Sequence, residues 1–326
     1  MFYKFSKKFR LEFIYFKDTM VGVLSMIITS GTASEVLGIK VAREMKLLKS
    51  KMEIKRFPDG EKYVRVLDSV EGEEVAVIQS FYRTPDEFLF EYFLIVDALR
   101  GSNAKRIVAV FPYFAYARQD ERFKPGEALS LESVIKLIES VGTDEVYTID
   151  MHLHRVSDIG KAFNVPAYNL TAIPEIAKYI KKNIELKDPV VLGPDEESEQ
   201  WAKVAAKQLD SRYDILEKKR LSAEQIEIKP RSLDVKGKDV VLIDDMISTG
   251  GTLAEAIKII RKEGARSVVA ACSHAVLVEN AYTRIFEAGA DYLVSTDTVP
   301  SPVSYVSVAG LIADALTKRL AQRKRD

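Results

Sequence analysis

The chain has 326 residues, 47% of them hydrophobic, with 48 Lys plus Arg against 48 Asp plus Glu; that length supports two domains, and the balanced charge gives no overall attraction to nucleic acid or an anionic membrane. Its single cysteine, Cys272 in an apolar run, excludes an intrachain disulfide framework and a Cys-based zinc site and fits a reducing, cytoplasmic setting. No apolar run approaches the roughly 18 residues that span a bilayer, so a soluble protein with no membrane partner is expected and any phosphate-binding charge has to be local.

Residues 1–25 mix aromatics with Lys and Arg, lack the apolar centre of a secretory signal, and read as an extension outside the core fold. Met26 opens MIITSG, a first buried strand running into a helix. Runs rich in β-branched residues predict strands at 75–79, 106–111 and 145–149, and three-and-four apolar spacing predicts helices at 88–99 and 131–140. The theme repeats with strands at 190–192, 213–216, 240–243, 268–272 and 292–294. Between them, Trp201, Val204, Ala205 and Leu209 share one helical face, as do Leu253, Ala256, Ile257 and Ile260. Strands alternating with helices define an α/β protein of mostly parallel sheets flanked by helices. Two similar units, 26–166 and 167–326, are expected to meet near 164–171.

The densest chemistry lies in VVLIDDMISTGGT, residues 240–252. Four apolar residues make a buried strand, Asp244 and Asp245 follow, and a small-residue turn opens the helix near Leu253. Ligands of open parallel sheets bind at that strand end. The turn can aim several backbone N–H groups at one anion; Ser248, Thr249 and Thr252 add hydroxyls, and Gly250 and Gly251 permit close approach. Ionised Asp244 and Asp245 accept only, which suits sugar hydroxyls rather than phosphate. A structural turn gains nothing from two neighbouring carboxylates that repel each other, so a sugar phosphate is the expected ligand. No G-x-x-x-x-G-K-[ST] occurs, which excludes the common nucleotide loop.

This segment resembles the ribose-phosphate loop shared by type I phosphoribosyltransferases and ribose-phosphate pyrophosphokinases, and four further motifs in chain order resemble the second family. FPDGE, with Phe57, Asp59, Gly60 and Glu61, resembles its ATP-contacting loop, and ARQDERF, with Arg118, Gln119 and Asp120, its nucleotide motif. TIDMH ends in His152, matching a magnesium-linked histidine, and GPDEES carries Asp195 in the pyrophosphate loop. The resemblance spans Met26 to about Leu320. It implies two phosphoribosyltransferase type I-like domains, magnesium, ATP as co-substrate, and a homo-oligomer in which FPDGE reaches a neighbouring subunit. Magnesium prefers oxygen ligands, so the magnesium-linked His152 is expected to act through a bound water or directly on phosphate instead of filling the inner shell. In LEKKRLSAEQIEI, residues 216–228, the polar stretch reads as a mobile flap, and Lys218 and Arg220 match a catalytic pair, with Lys219 the alternative in a shifted register.

The implied reaction places the pyrophosphoryl group of ATP on the C1 hydroxyl of ribose 5-phosphate, releasing AMP, by positioning and charge stabilisation. Arg220, Asp244, Asp245 and residues 248–252 would hold the sugar phosphate. Ser248 stands where the family often has Asp, Phe123 follows Glu121 and Arg122 where a further acid is common, and Glu196 and Glu197 replace His-Gly; these departures resemble the archaeal branch. A type I phosphoribosyltransferase and a non-catalytic regulatory subunit are the alternatives. FPDGE and the duplicated unit argue against the first; Lys218, Arg220, His152 and Asp195 together argue against the second.

Overall fold

A computed structural model describes residues 26–153, 158–220, 226–230 and 234–323, with backbone alone at 218–220 and 226–230. The expected extension at 1–25 and residues 221–225 of the expected flap lie outside the described residues.

The chain begins with β1 (Met26–Ser30), α1 (Glu35–Glu44), the hairpin β2 (Met52–Arg56) and β3 (Lys62–Val66), then β4 (Glu74–Ile78), α2 (Pro85–Gly101), β5 (Arg106–Phe111), α3 (Ser130–Ser140), β6 (Glu145–Ile149) and β7 (Ala167–Leu170). It continues through α4 (Ile173–Asn183), β8 (Val190–Gly193), α5 (Glu199–Leu209), β9 (Arg212–Arg220), β10 (Ile226–Pro230), β11 (Asp239–Ile247), α6 (Gly251–Lys262), β12 (Ser267–Ala275), α7 (Ala281–Glu287), β13 (Tyr292–Thr296), β14 (Ser304–Val306) and α8 (Ala309–Gln322). The first sheet is parallel throughout in the order β1-β4-β5-β6-β7. The second runs β10-β9-β8-β11-β12-β13-β14 and is parallel except for β10 against β9.

Continuous apolar strands are what a sheet covered on both faces requires, and side-chain alternation sorts them. Ile27, Val75, Val77, Ile107 and Ala109 face α2 and α3, while Met26, Ile28, Ala76, Ile78 and Val108 face α1 and α8. In the second sheet Val240 and Leu242 face α6, whereas Val241 and Ile243 face α4 and α5. Cys272 belongs to this core, and burial pushes its thiol up to about 12, which leaves it inert. No described helix is long and apolar enough to cross a membrane.

The division into 26–166 and 167–326 needs two corrections. Residues 167–170 form β7 of the first sheet, so the crossover falls after Leu170. The final helix α8 also returns to the first unit, where Ile312 and Leu316 cover the strand face of Met26 and Ile28 beside α1. Buried Arg319 fixes it there, donating from Nη1 to Glu74 Oε2 at 2.6 Å and from Nε to Glu145 Oε2 at 2.7 Å. Neither feature has a local signature, because each depends on a partner far along the chain. The stretch expected as an irregular flap also differs: β9 runs on to Arg220, and its backbone pairs antiparallel with β10, Lys218 opposite Ile228 and Arg220 opposite Ile226.

Both units repeat one strand order. In the second, β8 lies between β9, which follows the first helix, and β11, which follows a hairpin. In the first, β1 lies between β4 and a reduced partner at 48–50, where Ile28 N–H donates to Leu48 O at 3.0 Å and Ser50 N–H to Ile28 O at 2.8 Å. The β2–β3 hairpin then occupies the same place in the order as β9–β10. The winding direction therefore reverses between β1 and β4 and again between β8 and β11, and a crevice opens beyond the carboxyl ends at such a reversal.

Candidate active site

The reversal between β8 and β11 carries the largest concentration of the motif residues. Strand β11 outruns β8: their pairing ends at Leu242 opposite Leu192, yet β11 stays paired with β12 as far as Ile247. Asp244 and Asp245 thus lie inside the strand, not past its end as expected from an apolar run of four, and the edge facing β8 is open there. Beyond β8 the chain turns tightly through Asp195. Ser198 Oγ donates to Asp195 O at 2.6 Å, and Ser198 N–H donates to Asp195 Oδ1 at 3.2 Å. Gly193 is required by this turn, since a methyl there would lie 2.3 Å from Ser198 Oγ.

On the other side, Gly250 takes φ +71°, a left-handed conformation that lets the chain swing from Ser248 into α6. No side chain hydrogen-bonds the cap and no acid sits in the first turn, so the positive end of a twelve-residue helix faces outward unneutralised. A methyl at Gly251 would meet nothing nearer than Thr249 Oγ1 at 3.9 Å, which leaves room for a ligand against the backbone.

These elements wall a cavity of about 440 Å³. The second unit contributes Asp195, Glu197, Trp201 and the run from Asp244 to Leu253; the first contributes Arg118, Asp120, Phe123 and His152. His152 crosses between the units, its Nδ1–H donating to Asp245 Oδ2 at 2.5 Å, with Nδ1 the protonated nitrogen because an ionised carboxylate only accepts. Burial draws the imidazole down, but the hydrogen bond and charge of Asp245 outweigh it and hold His152 above the ordinary histidine value. Burial, then the charges of Asp245 and Asp195, pushes the Asp244 carboxyl well above the usual carboxylate range. Asp120 Oδ2 is buried without a hydrogen-bond partner among the described residues. The described part of the cavity therefore crowds Asp244 against other carboxyls and leaves Asp120 Oδ2 without a donor.

A buried junction lies behind His152. Asp150, at φ +37°, accepts from Ala172 N–H at 2.8 Å and Ser273 Oγ at 2.5 Å. His274 bridges Thr298 Oγ1 at 2.9 Å and Ile149 O at 3.0 Å, and burial lowers its pKa, which suits a neutral structural histidine.

Of the residues singled out from sequence, Arg118, Asp120, His152, Asp195, Asp244, Asp245, Ser248, Thr249, Gly250, Gly251 and Thr252 line this one cavity. Gln119 turns aside, its Nε2 donating to Glu127 Oε2 at 3.2 Å. Residues 57–61 form the tip of β2–β3 and are not among the lining residues; Phe57 is 45% exposed. Lys218 and Arg220 stand on β9, and their side chains lie outside the described residues. Sequence reading missed Phe123, Glu197, Trp201 and Met246 as cavity walls. Trp201 was legible only as a core residue, and it is both, at 7% exposure.

Two family models match in tandem, the N-terminal domain of ribose phosphate pyrophosphokinase over residues 26–142 and the phosphoribosyl transferase domain over residues 168–295. The fold and its crevice thus define a protein of the phosphoribosyltransferase class. The ribose-phosphate pyrophosphokinase of Methanopyrus kandleri is 42% identical over 89% of this chain and 98% of its own, and ribose-phosphate pyrophosphokinase 1 of Archaeoglobus fulgidus is 39% identical over 90% and 100%. A crystal structure of phosphoribosylpyrophosphate synthetase from Mycobacterium smegmatis superposes with a TM-score of 0.82 at 30% identity, covering 91% of this chain and 99% of that one. The chain belongs to the ribose-phosphate pyrophosphokinase family, whose members transfer a diphosphate group.

Proposed function

We propose that the protein transfers the pyrophosphoryl group of ATP to the C1 hydroxyl of ribose 5-phosphate, giving 5-phosphoribosyl 1-pyrophosphate and AMP. The observation that carries this reading is the uncapped N-terminus of α6 beside Asp244, faced across one cavity by Arg118, Asp120 and His152 of the other unit. The amides and hydroxyls of 248–252 take the 5-phosphate, and Asp244 accepts from ribose hydroxyls. Asp245 Oδ2 already accepts from His152, so Asp245 orients that imidazole as much as it orients the sugar. Phe57, Asp59, Gly60, Glu61, Arg118, Gln119 and Asp120 address the nucleotide, and Lys218 and Arg220 approach the transferring group from β9. In-line attack on the β-phosphorus needs little covalent help, so fixed donors and excluded water supply most of the acceleration.

Magnesium fits these residues. Among the described residues no three metal-binding side chains form a closed cage, and magnesium binds through one or two carboxylates plus waters and substrate phosphates. The unpartnered Asp120 Oδ2 and the crowded Asp244 and Asp195 carboxylates mark the cavity as cation-seeking. Asp195 would hold the ion directly and His152 through a bound water or phosphate. When bound, the ion supplies charge neutralisation on the phosphoryl oxygens.

The exposed loop 57–61 supports a homo-oligomer in which the loop reaches a neighbouring copy, and light scattering on the purified protein tests it. A cytoplasmic location follows from the same reading, since both substrates are intracellular metabolites. Turnover with ATP, ribose 5-phosphate and magnesium, each omitted in turn, tests the reaction itself: AMP and the diphosphorylated pentose should appear together and need all three. A protein that consumes the phosphoribosyl diphosphate in place of making it is a phosphoribosyltransferase. One inactive alone is a regulatory subunit.

A further inference from the structure

The hairpin carrying residues 57–61 is separate from the five-stranded sheet and rests on the first core through Met52, Ile54, Val64 and Val66. Those apolar contacts fix its body. At the loop end the last ladder pair is Arg56 opposite Lys62, the two residues that flank the loop. Glu87 and Glu91 of α2 lie one turn apart on one face and meet this pair. Arg56 Nη2 bonds Glu87 Oε1, and Arg56 Nη1 donates to Gly60 O inside the loop at 2.7 Å. Lys62 Nζ lies 3.3 Å from Glu87 Oε1, bonds Glu91 Oε2, and sits 5.3 Å over the Phe88 ring. Glu91 is fully buried and also accepts from Thr32 N–H at 2.7 Å, Thr32 Oγ1 at 2.8 Å and Gln79 Nε2 at 3.0 Å.

Apolar side chains would join a hairpin to a helix at least as stably as a buried ion pair does. What directional hydrogen bonds add is one geometry, and here they are concentrated at the loop end of the hairpin. Glu91 also reaches the ends of both β1 and β4, through Thr32 and Gln79. The loop is thereby referred to the carboxyl edge of the first sheet, the edge from which Arg118 and His152 enter the cavity.

We propose that Glu91, with Lys62, Arg56 and Glu87, is a positioning clamp that sets loop 57–61 for nucleotide binding; this rests on the reading of that loop as an ATP contact. The clamp acts through the loop and touches no reacting atom.

Lys62→Met combined with Glu91→Gln removes both buried charges together, so stability stays near wild type while the fixed geometry is lost. In the full-length protein this pair should raise the KM for ATP at least about 10-fold and leave that for ribose 5-phosphate within about 2-fold. Backbone amides of 57–61 should exchange hydrogen faster without nucleotide present. Arg56→Gln, on the solvent side of the clamp, should show the same signature at smaller size and does not disturb the core. Phe57→Ala is the control for the loop and should raise the ATP KM alone. If Phe57→Ala raises it while neither clamp variant does, the clamp is refuted and the loop reading survives. If Phe57→Ala has no effect, both fall. If both KM values rise together with a lowered melting temperature and unchanged exchange at 57–61, the residues are merely structural.

Discussion

Between β8 and β11 the crevice of the second unit is open: α6 has no side-chain cap, and Asp244 is crowded by the Asp245 and Asp195 carboxylates. At the equivalent place between β1 and β4, the first unit is filled by its own chain. Thr32, just past β1, gives its backbone N–H to the buried Glu91 carboxylate, Lys62 neutralises that charge, and Gln79 closes the space against Gly31. The helix end at one reversal of strand order has no capping anion, and the other reversal already holds a carboxylate. A topological switch point is therefore only a location, and whether it becomes a binding site depends on which side chains are kept out of it. The hairpins diverge in parallel, β2–β3 being clamped at its tip by α2 while β9–β10 extends the sheet beside the open crevice.

The largest effect expected from this contrast is on the second hairpin. Lys218→Ala should lower the turnover number at least about 100-fold with little change in apparent substrate affinity, the mark of a contact made in the transition state. Unchanged turnover in steady-state assays would remove Lys218 from the mechanism.

A pair of glycines closes the first strand in each unit, and the same substitution should separate them. Gly193→Ala drives a methyl to 2.3 Å from Ser198 Oγ and displaces the turn bearing Asp195, so kcat/KM should fall on the order of 10-fold or more. Gly31→Ala drives a methyl to 2.4 Å from Gln79 Oε1 in the filled crevice, which should lower the melting temperature by several degrees, roughly 2–4 °C per kcal/mol lost, with the KM for ribose 5-phosphate kept. An equal loss of kcat/KM for ribose 5-phosphate from both would show that the filled crevice shapes the pentose site as well. The smallest effect is a gain: Asp244→Asn removes a carboxyl disfavoured by burial and then by like-charge crowding, and should stabilise the ligand-free protein by about 0.5–2 kcal/mol in chemical denaturation while weakening ribose 5-phosphate binding. Lower stability of that variant would mean Asp244 is already compensated.

Strands made of continuous β-branched and apolar residues were legible because both faces of each sheet are covered, and 75–78 and 240–243 are buried throughout. Their extensions were not. Residues 244–247 look like loop, yet they continue the strand because 272–275 lie alongside in register. The basic run 218–220 is strand because β10 folds back on it, which no local periodicity encodes. Most of the site was readable since the motifs sit at strand ends, where a parallel sheet collects its ligand-binding residues. The link between His152 and Asp245, and the clamp joining Lys62 to Glu91, each unite segments that carry no mark of one another. Glu91 in particular interrupts the apolar run 88–96 of α2 and looks like a solvent-facing residue until β3 is laid over it.

The central claim is that the open crevice grips a phosphorylated pentose in one orientation, and a crystal structure with ribose 5-phosphate tests it most directly. The phosphate should lie against the backbone of 248–252, the ring hydroxyls should meet Asp244, and the anomeric carbon should point toward His152 and Asp195. A phosphate seated elsewhere, or an anomeric carbon turned away from those two residues, would contradict it.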